Sequence, residues 1–251
     1  MLIFLGDPFD WVLNGKKCAF ASMAESTWFI LNSGLGAAAE NMACDEALLE
    51  ASSSQNHPAV RFYGWEKPAA TFGYFQRYAD VSALTHVRPL IRRPTGGGLV
   101  LHDADWTYSV SIPPTDAWFA LKAVESYRRI HEWVQAAFHD LGIATTLSPC
   151  CVQDGPGQCF VGAEQFDLLH DGAKIAGAAQ RRRKDGLLIQ GSIQAGKTGV
   201  QRPAFEHAFC EAGARQWKIR WQDFRPAPEF SQYVRQLASG KYSRGDYNER
   251  R

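Results

Sequence analysis

The chain has 251 residues, 45% hydrophobic and 21% charged, which excludes the disordered and fibrous classes and is enough to bury a substantial core. Lys+Arg 27 against Asp+Glu 26 leaves a formal charge of +1, so no global field drives the chain onto nucleic acid or an anionic membrane. Any charged partner must meet a local patch. No apolar run approaches the roughly 18 residues of a membrane span, and Met1–Leu5 runs straight into Gly6, Asp7 and Pro8, so neither a signal peptide nor an anchor is expected. Cys18, Cys44, Cys150, Cys151, Cys159 and Cys210 show no regular spacing and no C-x-x-C pair. Free thiols in the cytoplasm are therefore expected, with no disulfide scaffold and no metal site.

Residues 1 to about 25 carry no clear periodicity, and the pattern sharpens at Thr27–Leu31, which reads as a strand. A loop at Gly34 and Gly36 leads to a helix over Glu40–Ala51, with Met42, Cys44, Ala47 and Leu48 as its apolar positions. Strands follow at Val60–Tyr63, Ala70–Tyr74 and Trp106–Ile112. Val124, Tyr127, His131, Val134, Phe138 and Leu141 recur at spacings of three and four, which predicts a core-covering helix capped at Gly142. Beyond it, Phe166–Leu169, Ala173–Arg181 and Leu187–Ile193 form a meander turned at Asp171-Gly172 and Asp185-Gly186. Asp-Gly is a hairpin signal because both central residues of a type I′ turn need positive φ. The sum is an α+β domain of mixed or antiparallel sheet flanked by helices.

Two segments carry chemical information. Arg92–Asp103, reading RRPTGGGLVLHD, places three consecutive glycines between strand-like runs, which sacrifices backbone order and side-chain packing. Such a run serves a main chain lying close against a ligand, or a plain structural bend; the flanking Arg92, Arg93 and His102-Asp103 favour the ligand cradle. In the second segment Cys159 sits in a loop rich in glycine and proline rather than on an apolar face, and Lys174 follows a tight turn in an otherwise small, apolar strand. A reachable thiol and a partly desolvated amine of lowered pKa are the chemical readings. A buried inert cysteine and a snorkelling lysine are the bland ones. A third pattern, Gly191–Thr198, satisfies G-x-x-x-x-G-K-[ST], but it ends a hairpin strand, and Gly199 and Pro203 are expected to interrupt any following helix, so a phosphate loop is disfavoured.

Together the glycine segment, Asn41–Leu48, Phe72–Gln76, and Lys174–Gln180 with Gly191–Ile193 resemble the lipoate ligase, octanoyltransferase and biotin ligase superfamily, from about residue 27 to 195. The resemblance implies a biotin/lipoate protein ligase-like catalytic domain over 27–240, leaving an N-terminal extension at 1–26 and a C-terminal tail at 241–251; separately, residues 244–251 are expected to be mobile, as chain ends commonly are. It also implies that the glycine segment and the lysine strand wall a tunnel for a medium-length acyl chain. ATP-dependent members carry an Arg-Asn-Asp type stretch where this chain has Cys159-Phe160, and typically a further C-terminal domain. The pattern here is similar to the cysteine-dependent octanoyltransferases, although Gly162-Ala163 and Phe166-Asp167 are looser versions of theirs and Ala178 stands where serine is common.

That branch implies transfer of an octanoyl or lipoyl group from acyl carrier protein, through a Cys159 thioester, to a lysine of a lipoyl domain or glycine-cleavage H protein. No cofactor is expected, since the acyl group arrives activated; ATP and Mg enter only under the alternative of a lipoate–protein ligase. An inactive module that binds acyl or lipoyl domains is the third reading. Cys159 and Lys174 are the expected catalytic pair. Substrate contacts are expected from Phe72, Gly73, Tyr74, Gln76, Arg93, Thr95, Gly96, Gly97, Gly98, Leu99, Val100, His102, Gly177 and Ala178, with backbone N–H groups near Gly177 and Ala178 sharing oxyanion charge. Phe72, Tyr74, Leu99 and Val100 are equally readable as plain core. Arg181–Lys184 is either a solvated turn or a dock for acidic carrier domains.

Overall fold

Alternation along three neighbouring strands decides which face of the main sheet is greasy and which is polar. The computed structural model describes residues 12–13, 16–17, 25–151 and 162–250; Cys18, Cys159 and Phe160 lie outside them. A short ribbon, β1 (Val12–Leu13) and β2 (Lys16–Lys17), precedes the body. The strands that follow are β3 (Ser26–Gly36), β4 (Ala59–Trp65), β5 (Ala69–Phe72), β6 (Leu90–Arg92), β7 (Val100–His102), β8 (Trp106–Ile112), β9 (Thr146–Leu147), β10 (Leu168–His170), β11 (Ala173–Arg183), β12 (Gly186–Ile193) and β13 (Ile219–Asp223). An eight-stranded mixed sheet runs β13-β3-β4-β8-β12-β11-β10-β9, and a three-stranded sheet runs β6-β5-β7.

Register aligns the alternation into rows. Val60, Val110 and Ile189 lie opposite one another across β4, β8 and β12. This row faces α3 (Ala123–Asp140) and α4 (Arg202–Trp217), whose Ile130, Trp133, Val134, Phe138, Phe205 and Phe209 complete one large apolar core. Each such fully buried side chain contributes about 1.5–3 kcal/mol over its exposed state. The neighbouring row, Arg61, Ser109 and Gln190, points to the opposite face, where α1 (Ala38–Gln55) lies. α1 is covered in turn by α5 (Pro228–Leu237) and the π-turn Ala238–Tyr242, so it is buried nearly all round and shows no simple amphipathic stripe.

Several expectations are corrected. The first helix extends well beyond Glu40–Ala51, and β3 continues through Gly34 and Gly36 with an irregularity between Asn32 and Leu35. Val124 is 63% exposed, so the core face of α3 begins later, while Gly142 does adopt positive φ at the helix end. Asp171 and Gly172 both have positive φ, as a type I′ turn requires. The second turn differs: Arg183 pairs with Gly186, so Lys184 and Asp185 occupy the loop, and Gly186 opens β12 at φ 140. A Cβ there would strike the Ile112 carbonyl at 2.4 Å, which is why glycine stands at that position.

Pro203 starts α4 rather than breaking it, because the first helical turn has no N–H obligation that proline violates. Near residue 248 the described chain packs back onto the small sheet. α6 (Gly245–Asn248) places Asn248 against Arg92, whose backbone N–H donates to Asn248 Oδ1 at 2.8 Å and whose Nη2 donates to the Asn248 carbonyl at 2.9 Å. Among the described residues no helix is long and apolar enough to cross a membrane.

Candidate active site

The β10–β11 hairpin sets the position of Lys174. Its Asp171-Gly172 turn pairs Leu169 with Lys174, and a bulge between Leu168 and Leu169 lets the preceding loop fold back. In that loop Phe166 is held at φ 72, an unfavourable region for an aromatic residue. Ser148 secures it on both sides: its carbonyl accepts from the Phe166 N–H and its N–H donates to the Asp167 carbonyl, each at 2.8 Å. Asp167 is thereby turned inward and is 0% exposed; its Oδ2 lies 2.7 Å from Lys174 Nζ, itself 8% exposed. The lysine is thus not in a purely apolar setting, as its neighbours in sequence suggest, but faces a buried carboxylate.

The rest of the carboxylate is also held. Oδ2 accepts the Glu164 N–H at 2.7 Å, and Oδ1 accepts the Tyr127 hydroxyl at 2.5 Å. Burial and the nearby Asp167 charge push the Tyr127 phenol well above its ordinary range, so it keeps its proton and donates. His131, one turn along α3, is fully buried; burial lowers its pKa, with Asp167 opposing more weakly. Its Nδ1 donates to the Tyr127 carbonyl at 2.9 Å, leaving the unprotonated Nε2 4.0 Å from Asp167 Oδ1. Gly177 completes the arrangement. A side chain there would meet Lys174 Cε at 2.7 Å and Nζ at 2.9 Å, so the lysine folds across the glycine to reach its partner. The Ala178 N–H points to the Tyr127 hydroxyl at 3.4 Å.

The glycine segment lies against the far half of the same ribbon. Thr95 Oγ1 donates to Gln190 Oε1 at 2.7 Å, and Arg181 Nη1 donates to the Pro94 carbonyl at 2.8 Å. Gly73 and Gly97 are in such close approach that a Cβ on Gly73 would sit 1.9 Å from the Gly97 carbonyl oxygen. Tyr74 N–H donates to Thr95 at 2.8 Å, and Gln76 Oε1 accepts the Gly73 N–H at 2.9 Å. Backbone meeting backbone thus explains part of the glycine content, while Gly96 and Gly98 stand half-buried at the loop's crest. Arg93 Nη1 donates to the Thr71 carbonyl and Nη2 to that of Gly96. Phe72 and Leu99 join Ala70, Val81 and Leu90 in a separate apolar cluster, and Val100 is buried beside them in β7.

His102 is 4% exposed and fully engaged: Nδ1 meets Asp105 at 2.9 Å, Nε2 meets Thr71 Oγ1 at 2.8 Å, and Trp65 stacks on the ring at 3.9 Å. Asp105 also accepts from Thr107 and Ser192. Tyr74 is flanked by the guanidinium groups of Arg181 at 3.9 Å and Arg250 at 4.5 Å, and their hydrogen bonds lower its pKa. Arg181 therefore serves packing, while Arg182, Arg183 and Lys184 are exposed. Gly191 of the phosphate-loop pattern sits in β12, and its missing side chain leaves room for the Tyr108 ring.

Three side chains grouped around Lys174 escape sequence reading. Asp167 is visible only as part of a motif, and Tyr127 and His131 only as core positions of a helix. Spacing offers one clue: a tyrosine and a histidine at i and i+4 on an apolar stripe need a polar partner when buried.

Residues 37–197 match the family described as the lipoyl protein ligase A/B catalytic domain. Octanoyltransferase LipM of Geobacillus kaustophilus is 36% identical over 184 residues, covering 68% of this chain and 66% of that protein. The chain spans just under two thirds of the length of the first curated relatives it matches. Among solved structures, lipoate-protein ligase A bound with ATP is 21% identical, with a TM-score of 0.72 over 90% of this chain and 98% of that one. The bi-partite lipoate protein ligase of Thermoplasma acidophilum is 20% identical, with a TM-score of 0.69 over 90% and 97%. Both share the mixed-sheet α+β architecture described above. Because the matched span takes in more than half of the chain, from the start of α1 to just past β12, this protein belongs to the lipoyl protein ligase A/B catalytic-domain family.

Proposed function

We propose that the chain is an octanoyltransferase that moves an octanoyl group from acyl carrier protein to a lysine ε-amine of a lipoyl domain or glycine-cleavage H protein, through a thioester on Cys159. The observation that carries this reading is Lys174, 2.7 Å from the buried carboxylate of Asp167 in a site opened by Gly177. The octanoyltransferase relatives and the cysteine seven positions before Phe166 support it.

In the first step the Cys159 thiolate adds to the thioester carbonyl, the C–S bond to the carrier breaks, and the phosphopantetheine sulfur leaves as a thiolate that takes up a proton. One thioester replaces another. In the second step the acceptor amine adds to the octanoyl-cysteine carbonyl, loses a proton, and expels the Cys159 thiolate as the amide forms. Lys174, as an ammonium, supports the thiolate and the developing oxyanion electrostatically, and it exchanges protons with the incoming amine. The carboxylate of Asp167 keeps its flexible stem aimed in one direction.

Incubation with octanoyl acyl carrier protein in the absence of ATP, followed by intact-mass spectrometry, tests the proposal. The wild-type chain gains an octanoyl adduct that hydroxylamine removes and that an acceptor domain discharges. Cys159→Ser gains no thioester, and Lys174→Met lowers turnover by roughly 10²- to 10⁴-fold. Lipoylation that survives in Cys159→Ser but requires Mg and ATP overturns the reading in favour of a ligase. Tight carrier binding without any transfer overturns it in favour of a binding module.

A further inference from the structure

We propose that Tyr127 of α3 is a positioning residue for this reaction: its hydroxyl fixes the Asp167 carboxylate that holds the Lys174 ammonium. The inference rests on the reading that Lys174 acts in acyl transfer and adds to it a residue from a different element.

The direction of each hydrogen bond is set by chemistry alone. The Ala178 backbone N–H can only donate, so at 3.4 Å it donates weakly to the Tyr127 oxygen, and the single phenolic proton is then committed to Asp167 Oδ1 at 2.5 Å. With Oδ1 occupied, Oδ2 is the oxygen that meets both Lys174 Nζ and the Glu164 N–H, each at 2.7 Å. The chain Ala178, Tyr127, Asp167, Lys174 leaves β11, passes through α3, and returns to β11 four residues earlier. It closes a ring around Gly177, whose absent side chain is what admits the lysine.

Tyr127 is itself secured. Its carbonyl accepts from His131 Nδ1, and the two rings lie 4.4 Å apart. Without the phenolic proton, Oδ1 loses this hydrogen-bond donor in a buried site, and rotation about the Cβ–Cγ bond is opposed by the bonds to Oδ2 with one fewer restraint. The lysine stem, with four rotatable methylenes, then meets a carboxylate held less firmly in one orientation. A buried tyrosine in a helix face otherwise needs only some hydrogen-bond acceptor. Here the acceptor is a carboxylate that touches the proposed acting amine.

Tyr127→Phe removes the hydroxyl and leaves the ring. The expected result is a roughly 10- to 100-fold lower kcat for octanoyl transfer, the loss of a hydrogen bond to a charged group. The carrier KM stays within about twofold of wild type and the thermal midpoint shifts by only a few degrees. A double-mutant cycle supplies the second test. If Tyr127 acts through Asp167, Tyr127→Phe has little further effect in an Asp167→Asn background, whereas an independent structural role multiplies the two losses. Multiplied losses, an unchanged kcat in Tyr127→Phe, or a loss confined to KM or thermal midpoint overturns the inference. When wild-type transfer depends on Lys174 but not on Tyr127, this inference alone fails. Absence of transfer by the wild type, or full activity in Lys174→Met, overturns the underlying reading and this inference with it.

Discussion

Asp45 and Asp167 are both 0% exposed and both paired with a cation, yet the two pairs are set in different surroundings. Asp45 rises from α1 into the polar row of the large sheet and accepts side-chain bonds from Arg61, Tyr63, Ser109 and Gln190, at 2.7 to 2.9 Å. Those donors come from β4, β8 and β12, so one carboxylate ties a helix to three strands. Its cation is a guanidinium that stays charged at any physiological pH. Asp167 sits in the loop just before β10, toward the β9 edge of the sheet, and its cation is an amine on a flexible stem. A buried ion pair is weak evidence for stability in general, but the contrast shows two uses of partner choice: a permanent charge tied to three strands at Asp45, and at Asp167 an amine on a flexible stem, the group proposed to act in transfer.

That contrast is broken most severely at the scaffold. Asp45→Ala strands the Arg61 guanidinium in a site where it is only 3% exposed, and a loss of about 3–5 kcal/mol in unfolding free energy is expected, read by urea or thermal denaturation. The effect appears in stability before rate. A smaller change is expected at the Lys174–Asp167 pair, on the proposed role of Lys174, from Gly177→Ala. The new Cβ would lie 2.7 Å from Lys174 Cε and 3.2 Å from Asp167 Oδ1, and the flexible ammonium is what yields. Transfer should fall roughly tenfold, as expected of a misplaced acting group, with little change in thermal midpoint; unchanged kinetics would show that the lysine's exact path over Gly177 is immaterial.

The smallest effect is one of pH. Burial lowers the folded-state pKa of His131 below its ordinary 6.5, so between the two values the unfolded chain binds the extra proton. Stability is therefore fully present above about pH 6.5 and declines as pH falls through that window. The difference in thermal midpoint between wild type and His131→Gln should shrink or reverse toward pH 5, by no more than about 1.4 kcal/mol for each pKa unit of separation. A difference that does not vary with pH would mean His131 titrates alike in both states.

Legibility followed the range of the interactions. β8 was fully legible as Trp106–Ile112, because its alternation is local, and the Asp171-Gly172 turn because both residues carry their own φ preference. Gly186 misleads as a turn residue: the constraint on it comes from the Ile112 carbonyl on a strand far away in sequence. Asp45 falls in a quoted motif, yet nothing local distinguishes it from a solvated helix position, since its burial depends on Arg61, Ser109 and Gln190 arriving from three strands. At the candidate site, the lysine and the glycine loop stand out by composition, while Tyr127 was legible only as apolar periodicity. Its role depends on a hydroxyl meeting a carboxylate 40 residues away.

The contact between Arg92 and Asn248 has a temporal side. The two residues are separated by 156 positions, and Arg92 adjoins the glycine segment. During synthesis the strands of the small sheet emerge long before the helix that completes their hydrogen bonding, so that corner of the protein is finished only once Asn248, 156 positions after Arg92, has emerged. A nascent chain stalled or clipped ahead of Asn248 would carry every chemical group proposed for acyl transfer and still lack the final clasp beside its glycine loop.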